Sequence, residues 1–241
     1  MRVQQVGLPL TVPGRVEQHV PAVVADQAFQ QLLRSPRLPE AVRRLQAVAR
    51  AEAKQRRYFY DVITEQQKAE FINGEIIVHS PVKLRQSIAS ENLFTLLMMY
   101  VRKHSLGAVF HEKILIVLTR NDYEPDICFF CADKAASFTP AQSKFPVPDL
   151  AVEVLSESTE AADRGIKFED YAAHGVGEYW IVDPVAETIE QYLLHEGVYG
   201  LAVKVKTGTI ASAVVAGFEI PVRAAFDAAT QLAALQAILA G

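Results

Sequence analysis

The sequence predicts a mixed α/β (α+β) fold whose core runs helix, three strands, helix, strand. Three observations carry that prediction. A long amphipathic stretch, Lys83–His104, precedes three β-rich runs at Val109–Leu118, Asp122–Cys131 and Leu150–Leu155. A helical stretch, Thr159–His174, then separates the third run from a fourth, Glu178–Val182. A helix between two strands of one sheet is a crossover, and crossovers join parallel neighbours, so the sheet is mixed. Half of the 241 residues are hydrophobic, which is enough for a large core.

Each element follows from local chemistry. Met1–His19, with Pro9 and Pro13, reads as an extended arm. Pro21–Arg34 spaces Ala25, Ala28, Phe29, Leu32 and Leu33 as one helix face. After Ser35-Pro36 a second helix is expected over Pro39–Arg57, with Pro39 in its first turn, where no N–H is needed. Its basic residues, Arg43, Arg44, Arg50, Lys54, Arg56 and Arg57, suit solvent, phosphates or an acidic partner. Residues 1–57 are thus an N-terminal helical extension, and 58–241 form the main domain. Between Lys68 and His79, two short apolar runs flank Asn73-Gly74, residues that tolerate positive φ, so a hairpin is expected. The long helix carries Ile88, Leu93, Leu96, Leu97, Tyr100 and Val101 on its apolar side and stops near Gly107. Pro125 suits a strand start or edge, and Ala132–Val147 reads as a loop. Ser158 or Thr159 caps the helix that Gly175 closes. Beyond Pro184, apolar runs punctuated by Gly197, Gly200, Gly208 and Gly217 predict additional antiparallel hairpins, and Pro221–Ala240 a closing helix.

A net charge of -4 argues against non-specific coating of nucleic acid. It leaves room for a nucleic-acid enzyme, whose metal site itself concentrates carboxylates. Cys128 and Cys131 lie on a predicted strand, where residues three apart face opposite ways, and no second cysteine pair exists to complete a zinc site. They read as core residues. No secretory signal is apparent, and no apolar run reaches the roughly 18 residues of a membrane span. A reducing, cytoplasmic protein without a membrane partner is expected.

Pro148–Ser156 holds the chemical signal. Leu150, Val152 and Val154 share one strand face, Ala151, Glu153 and Leu155 the other. A glutamate between two valines is costly to bury as an anion unless something compensates it. Asp126 opens another apolar strand beside Pro125, and Lys167 lies on the following helix in an i,i+4 series with Asp163 and Tyr171. Two carboxylates on neighbouring strands can hold Mg2+ (or Mn2+) together with water and phosphate oxygens. A nearby lysine can orient the nucleophile or stabilise charge developing on phosphorus. Each residue also has a structural reading: Asp126 as a turn cap, Glu153 as the partner of Lys167, and Lys167 as a solvent-facing side chain.

Several blocks resemble a known family: Glu124-Pro125-Asp126, Pro148–Thr159, Asp163–Lys167, Tyr171–Pro184, Phe71–Glu75 and Ala216–Pro221. They are similar to the Uma-type endonucleases of the restriction-endonuclease-like PD-(D/E)xK superfamily, over about Tyr58 to Asp227. The resemblance implies a restriction-endonuclease-like core and a metal-dependent endonuclease that hydrolyses nucleic-acid phosphodiesters, with DNA the expected substrate. It implies catalytic roles for Asp126, Glu153 and Lys167, and a metal site of Asp126 and Glu153 joined by Glu75 from the hairpin. The superfamily lysine belongs two residues after the glutamate, where this chain has Leu155, and Lys167 is its expected substitute. A histidine common near the start of the first long helix is replaced by Arg85 and Gln86. Cutting both strands of a duplex implies two sites, hence a homodimer, with the Tyr- and Val-rich hairpins after Pro184 as its interface. Two rivals stay open: a catalytically inactive nuclease fold that binds nucleic acid or protein, and a metal-dependent enzyme on another phosphate substrate.

Overall fold

The computed structural model describes residues 22–64 and 67–240; the arm expected over Met1–His19 lies outside them. The chain divides into two units, Met1–Val42 and Arg43–Gly241. Helix α1 spans Ala22–Leu33 and α2 spans Leu38–Val62. The latter runs on through residue 57, where the sequence places the domain boundary. Nothing in Tyr58–Val62 breaks a helix, and Phe59 is anchored in a buried cluster with Ala69, Phe71 and Leu115.

In the second unit, β1 (Ala69–Ile72) and β2 (Glu75–Val78) form the expected hairpin. Asn73 and Gly74 take φ of 50° and 86°, the positive values that a two-residue turn between twisted strands requires. Helix α3 covers Leu84–Lys103. The next expected strand divides into β3 (Gly107–His111) and β4 (Leu115–Val117), because Glu112 and Lys113 both adopt φ of 50°. The run after it also divides, into β5 (Asp122–Tyr123) and β6 (Ile127–Cys131), at Glu124-Pro125-Asp126. Proline has no N–H for a ladder, so the chain changes sheet there. The two crossings are tied together by Glu112 N–H donating to the Asp126 carbonyl at 3.0 Å.

The expected loop contains α4 (Ala132–Ala135) and β7 (Lys144–Phe145), and β8 follows at Leu150–Val154. The crossover helix is two pieces, α5 (Glu160–Asp163) and α6 (Ile166–Ala173), interrupted at Arg164-Gly165. Then come β9 (Glu178–Asp183), β10 (Thr188–His195), β11 (Val198–Val205), β12 (Thr209–Ala211) and β13 (Glu219–Pro221). The chain closes with a 3-10 turn at Val222–Ala225 and α7 (Ala228–Ala240), so the expected last helix starts late.

Six strands form one sheet in the order β11-β10-β9-β8-β6-β3, and five form a second in the order β2-β1-β5-β4-β7. The β8–β9 pair is parallel, as the crossover requires. On one face of the larger sheet, Leu150, Val152 and Val154 pack with Leu93, Leu96, Leu97 and Val101 of α3 and with Trp180 and Val182. Each such side chain removed from water contributes roughly 1.5–3 kcal/mol. The other face gathers Cys128, Phe130, Ala151, Leu155, Tyr171, Tyr179 and Ile181. Both cysteines are free thiols. Glu153 shares this second face by strand alternation and meets α6. No helix among the described residues is long and apolar enough to cross a membrane.

Candidate active site

Asp126 stands where the chain passes from the smaller sheet into the larger. The β6–β8 ladder pairs Ile127 with Val152, so the Val154 N–H lies beyond it, and Asp126 Oδ2 accepts that N–H at 2.7 Å. Its Oδ1 accepts from Lys68 Nζ at 2.5 Å. Both side chains lie at the rim of the cluster, 16% and 19% exposed.

Glu153 is 2% exposed. Its Oε1 accepts from Lys167 Nζ at 3.1 Å and from the Tyr171 hydroxyl at 3.2 Å. Lys167 Nζ also lies 2.9 Å from Glu70 Oε1 and 3.1 Å from Asp163 Oδ1. An ammonium has three N–H donors, and three carboxylates surround this one. Lys167 is itself only 1% exposed, so it faces the protein interior rather than solvent. Glu70 Oε1 further accepts the Glu124 N–H at 2.9 Å, its Oε2 lies 3.0 Å from His79 Nε2, and Glu124 Oε2 accepts the Ala69 N–H at 2.9 Å. The first hairpin and the Glu124-Pro125-Asp126 crossing are therefore clamped to one another.

Four carboxylates (Glu70, Asp126, Glu153, Asp163) face two lysines, Lys68 and Lys167. Burial pushes the Glu153 carboxyl well above its ordinary range; Lys167 opposes this, while Asp163, Asp126 and Glu70 add to it. Burial likewise raises Asp163, despite Lys167 and Thr159. Burial also works against ionisation of Glu70, but Lys167, His79 and Lys68 outweigh it and hold that carboxyl down to about 2. Glu70 is thus the standing anion, and Glu153 the carboxyl that lacks enough positive charge around it.

These residues fit a hard divalent cation in donor type and in charge. Mg2+ needs only one or two carboxylates when waters complete its shell; Asp126 stands just before β6, and Glu153 lies on β8, which pairs with β6. No ready-made cage of three or more His, Cys, Asp or Glu exists among the described residues. Glu75 is exposed at the turn end of β2, opposite Ile72; the hairpin carboxylate that reaches Lys167 is Glu70. Glu70 sits in Ala-Glu-Phe-Ile, the same signal of a charge inside an apolar strand that singles out Glu153. Gln86, in the neighbourhood of the missing histidine, is buried; its Nε2 donates to the Leu155 carbonyl at 3.3 Å and its Oε1 has no partner among the described residues.

Residues 55–223 match the model of a family described as "Uma2: Putative restriction endonuclease". The chain is 32% identical over 130 residues to the uncharacterized protein slr1290 of Synechocystis sp., covering 53% of this chain and 67% of that protein. It also shares its fold with a crystal structure of a putative nuclease belonging to DUF820 from Anabaena variabilis. The TM-score there is 0.60 at 16% identity, over 70% of this chain and 94% of the other. The family match covers most of the second unit, including the hairpin, both strand carboxylates and Lys167, and so this chain belongs to the Uma2 family.

Proposed function

We propose that the chain is a metal-dependent endonuclease that hydrolyses phosphodiester bonds in nucleic acid, with DNA the first substrate to test. The observation that carries this reading is the pair of carboxylates Asp126, at the rim just before β6 and bonded to the Val154 N–H, and Glu153, buried on the neighbouring β8, in a cluster with more carboxylates than lysines. Asp126 and Glu153 would hold Mg2+ (or Mn2+). When bound, such an ion lowers the pKa of its water and neutralises charge on the phosphoryl oxygens. Lys167 and Tyr171 both bind Glu153 Oε1 and so fix how that carboxylate is presented. Lys167 also brings positive potential toward the place where charge develops, from a site that excludes water. The exposed Val198 and Leu201 on the edge strand β11 are our candidate surface for a homodimer that places two sites on a duplex.

The test is cleavage of supercoiled plasmid and of single-stranded DNA with Mg2+ or Mn2+. Asp126→Asn and Glu153→Gln should each lose about 100-fold or more in rate, as expected when charge stabilisation in a transition state is removed. A chelator should abolish wild-type cleavage. Undiminished cutting by Glu153→Gln, purified in parallel, would refute the assignment. Leu155 in place of a strand lysine favours the rival, a nuclease fold that binds without cutting. That reading expects nucleic-acid binding with no metal-dependent cleavage.

A further inference from the structure

Two lysines serve the cluster, and their surroundings differ. Lys167 is enclosed, 1% exposed, with Glu70, Glu153 and Asp163 around its ammonium, so a substrate phosphate cannot reach it. Leu155, at the strand position of the superfamily lysine, is buried in the core of the second face. Lys68 stands at the rim on Asp126. Its backbone is fixed, because its carbonyl accepts the His79 N–H at 3.0 Å. The side chain beyond is flexible, with a four-carbon stem. A cavity of about 290 Å3 is walled in part by Gln67, the residue before Lys68, and by Glu124, two before Asp126. Lys113 and Lys144 also line it, which suits an approaching polyanion.

We propose that Lys68 is the catalytic lysine that touches the substrate phosphate, and that it occupies Asp126 as a stand-in cation until a divalent ion displaces it. This rests on the nuclease reading above. With a divalent ion at Asp126, the Lys68 ammonium would leave that carboxylate and, on its flexible stem, would donate to a non-bridging oxygen of the phosphate. Lys167 is the positioning residue in this scheme: it holds Glu153 and does not touch the substrate.

The experiment uses the 241-residue chain and two readouts: calorimetric titration with Mn2+ in the absence of DNA, and plasmid cleavage at saturating Mn2+. With its competing ammonium gone, Lys68→Met should bind Mn2+ roughly tenfold more tightly. Its cleavage should fall about 100-fold, as when one preorganised donor is removed. Lys68→Arg should recover part of the cleavage, and Lys68→Gln repeats both measurements should the apolar variant fail to fold. Wild-type or weaker Mn2+ affinity in the neutral variants overturns the proposal, and so does undiminished cleavage. A wild-type chain that neither binds Mn2+ nor cuts overturns the nuclease reading and this role with it. An active wild type beside an equally active Lys68→Met overturns the role of Lys68 alone.

Discussion

At Glu153 two requirements pull against one another. Its place between Val152 and Val154 favours a neutral carboxyl, whereas metal ligation needs an anion. The folded-state pKa lies above the unfolded one, about 4.3, so ionising Glu153 costs folding free energy. Below the unfolded value the group is protonated in both states and costs nothing; as pH rises toward the folded value, stability falls. Glu153→Gln should therefore stabilise the metal-free protein by ~1 kcal/mol at neutral pH, the familiar exchange of stability for function. Urea unfolding across pH checks it: the gain should open as pH rises above about 4.3, and a variant less stable at neutral pH would contradict it. Glu153 is legible in the sequence because a charge among β-branched residues needs a partner, and Lys167 and Tyr171 supply it. Glu70 carries the same mark, but motif similarity points to Glu75. What selects Glu70 is the pairing of β1 with β5, which carries residue 70 to the backbone of residue 124, a contact that no local pattern encodes.

Among the elements, the second helix and the two sheet crossings do most to place the site. Arg56, near the end of α2, grips the fully buried Asp122 of β5 through Nε at 2.7 Å and through Nη2, and also donates to the carbonyls of Leu118 and Thr119 at 2.7 and 2.9 Å. Tyr60 adds its hydroxyl to Asp122 at 2.9 Å. Removing one partner of a buried pair strands the other charge, so Arg56→Met should cost ~3 kcal/mol in thermal or denaturant unfolding. A loss under about 1 kcal/mol, the worth of an exposed pair, would mean that the helix is held by its other contacts, Phe59 and Tyr60 among them. In the sequence Arg56 is one of six basic residues, indistinguishable from its neighbours. The Asn73-Gly74 hairpin was fully readable, since its turn chemistry is local. The split at Pro125 was half readable, as a proline that refuses a central ladder. The split at Glu112-Lys113 carries no residue signal, because two ordinary side chains are held at positive φ by the crossing itself.

Across the whole molecule, the order of helices and strands follows from periodicity, and the parallel β8–β9 pair from the crossover between them. That the site lies at the seam of the two larger sheets depends on hydrogen bonds between residues some fifty positions apart, such as Ala69 to Glu124 and Glu124 to Glu70. The seam brings a rim carboxylate, a buried carboxylate and two lysines of different exposure into one charged cluster. That Asp126 and Glu153 hold one divalent cation is tested most directly by anomalous diffraction from crystals soaked in Mn2+. One peak should bridge the two carboxylates, at about 2.1 Å from oxygens of each if the ion sits as Mg2+ would, with Lys68 turned away from Asp126. A peak held by Glu75 instead, or well-ordered crystals with no peak on Asp126 or Glu153 at saturating Mn2+, would contradict the shared site.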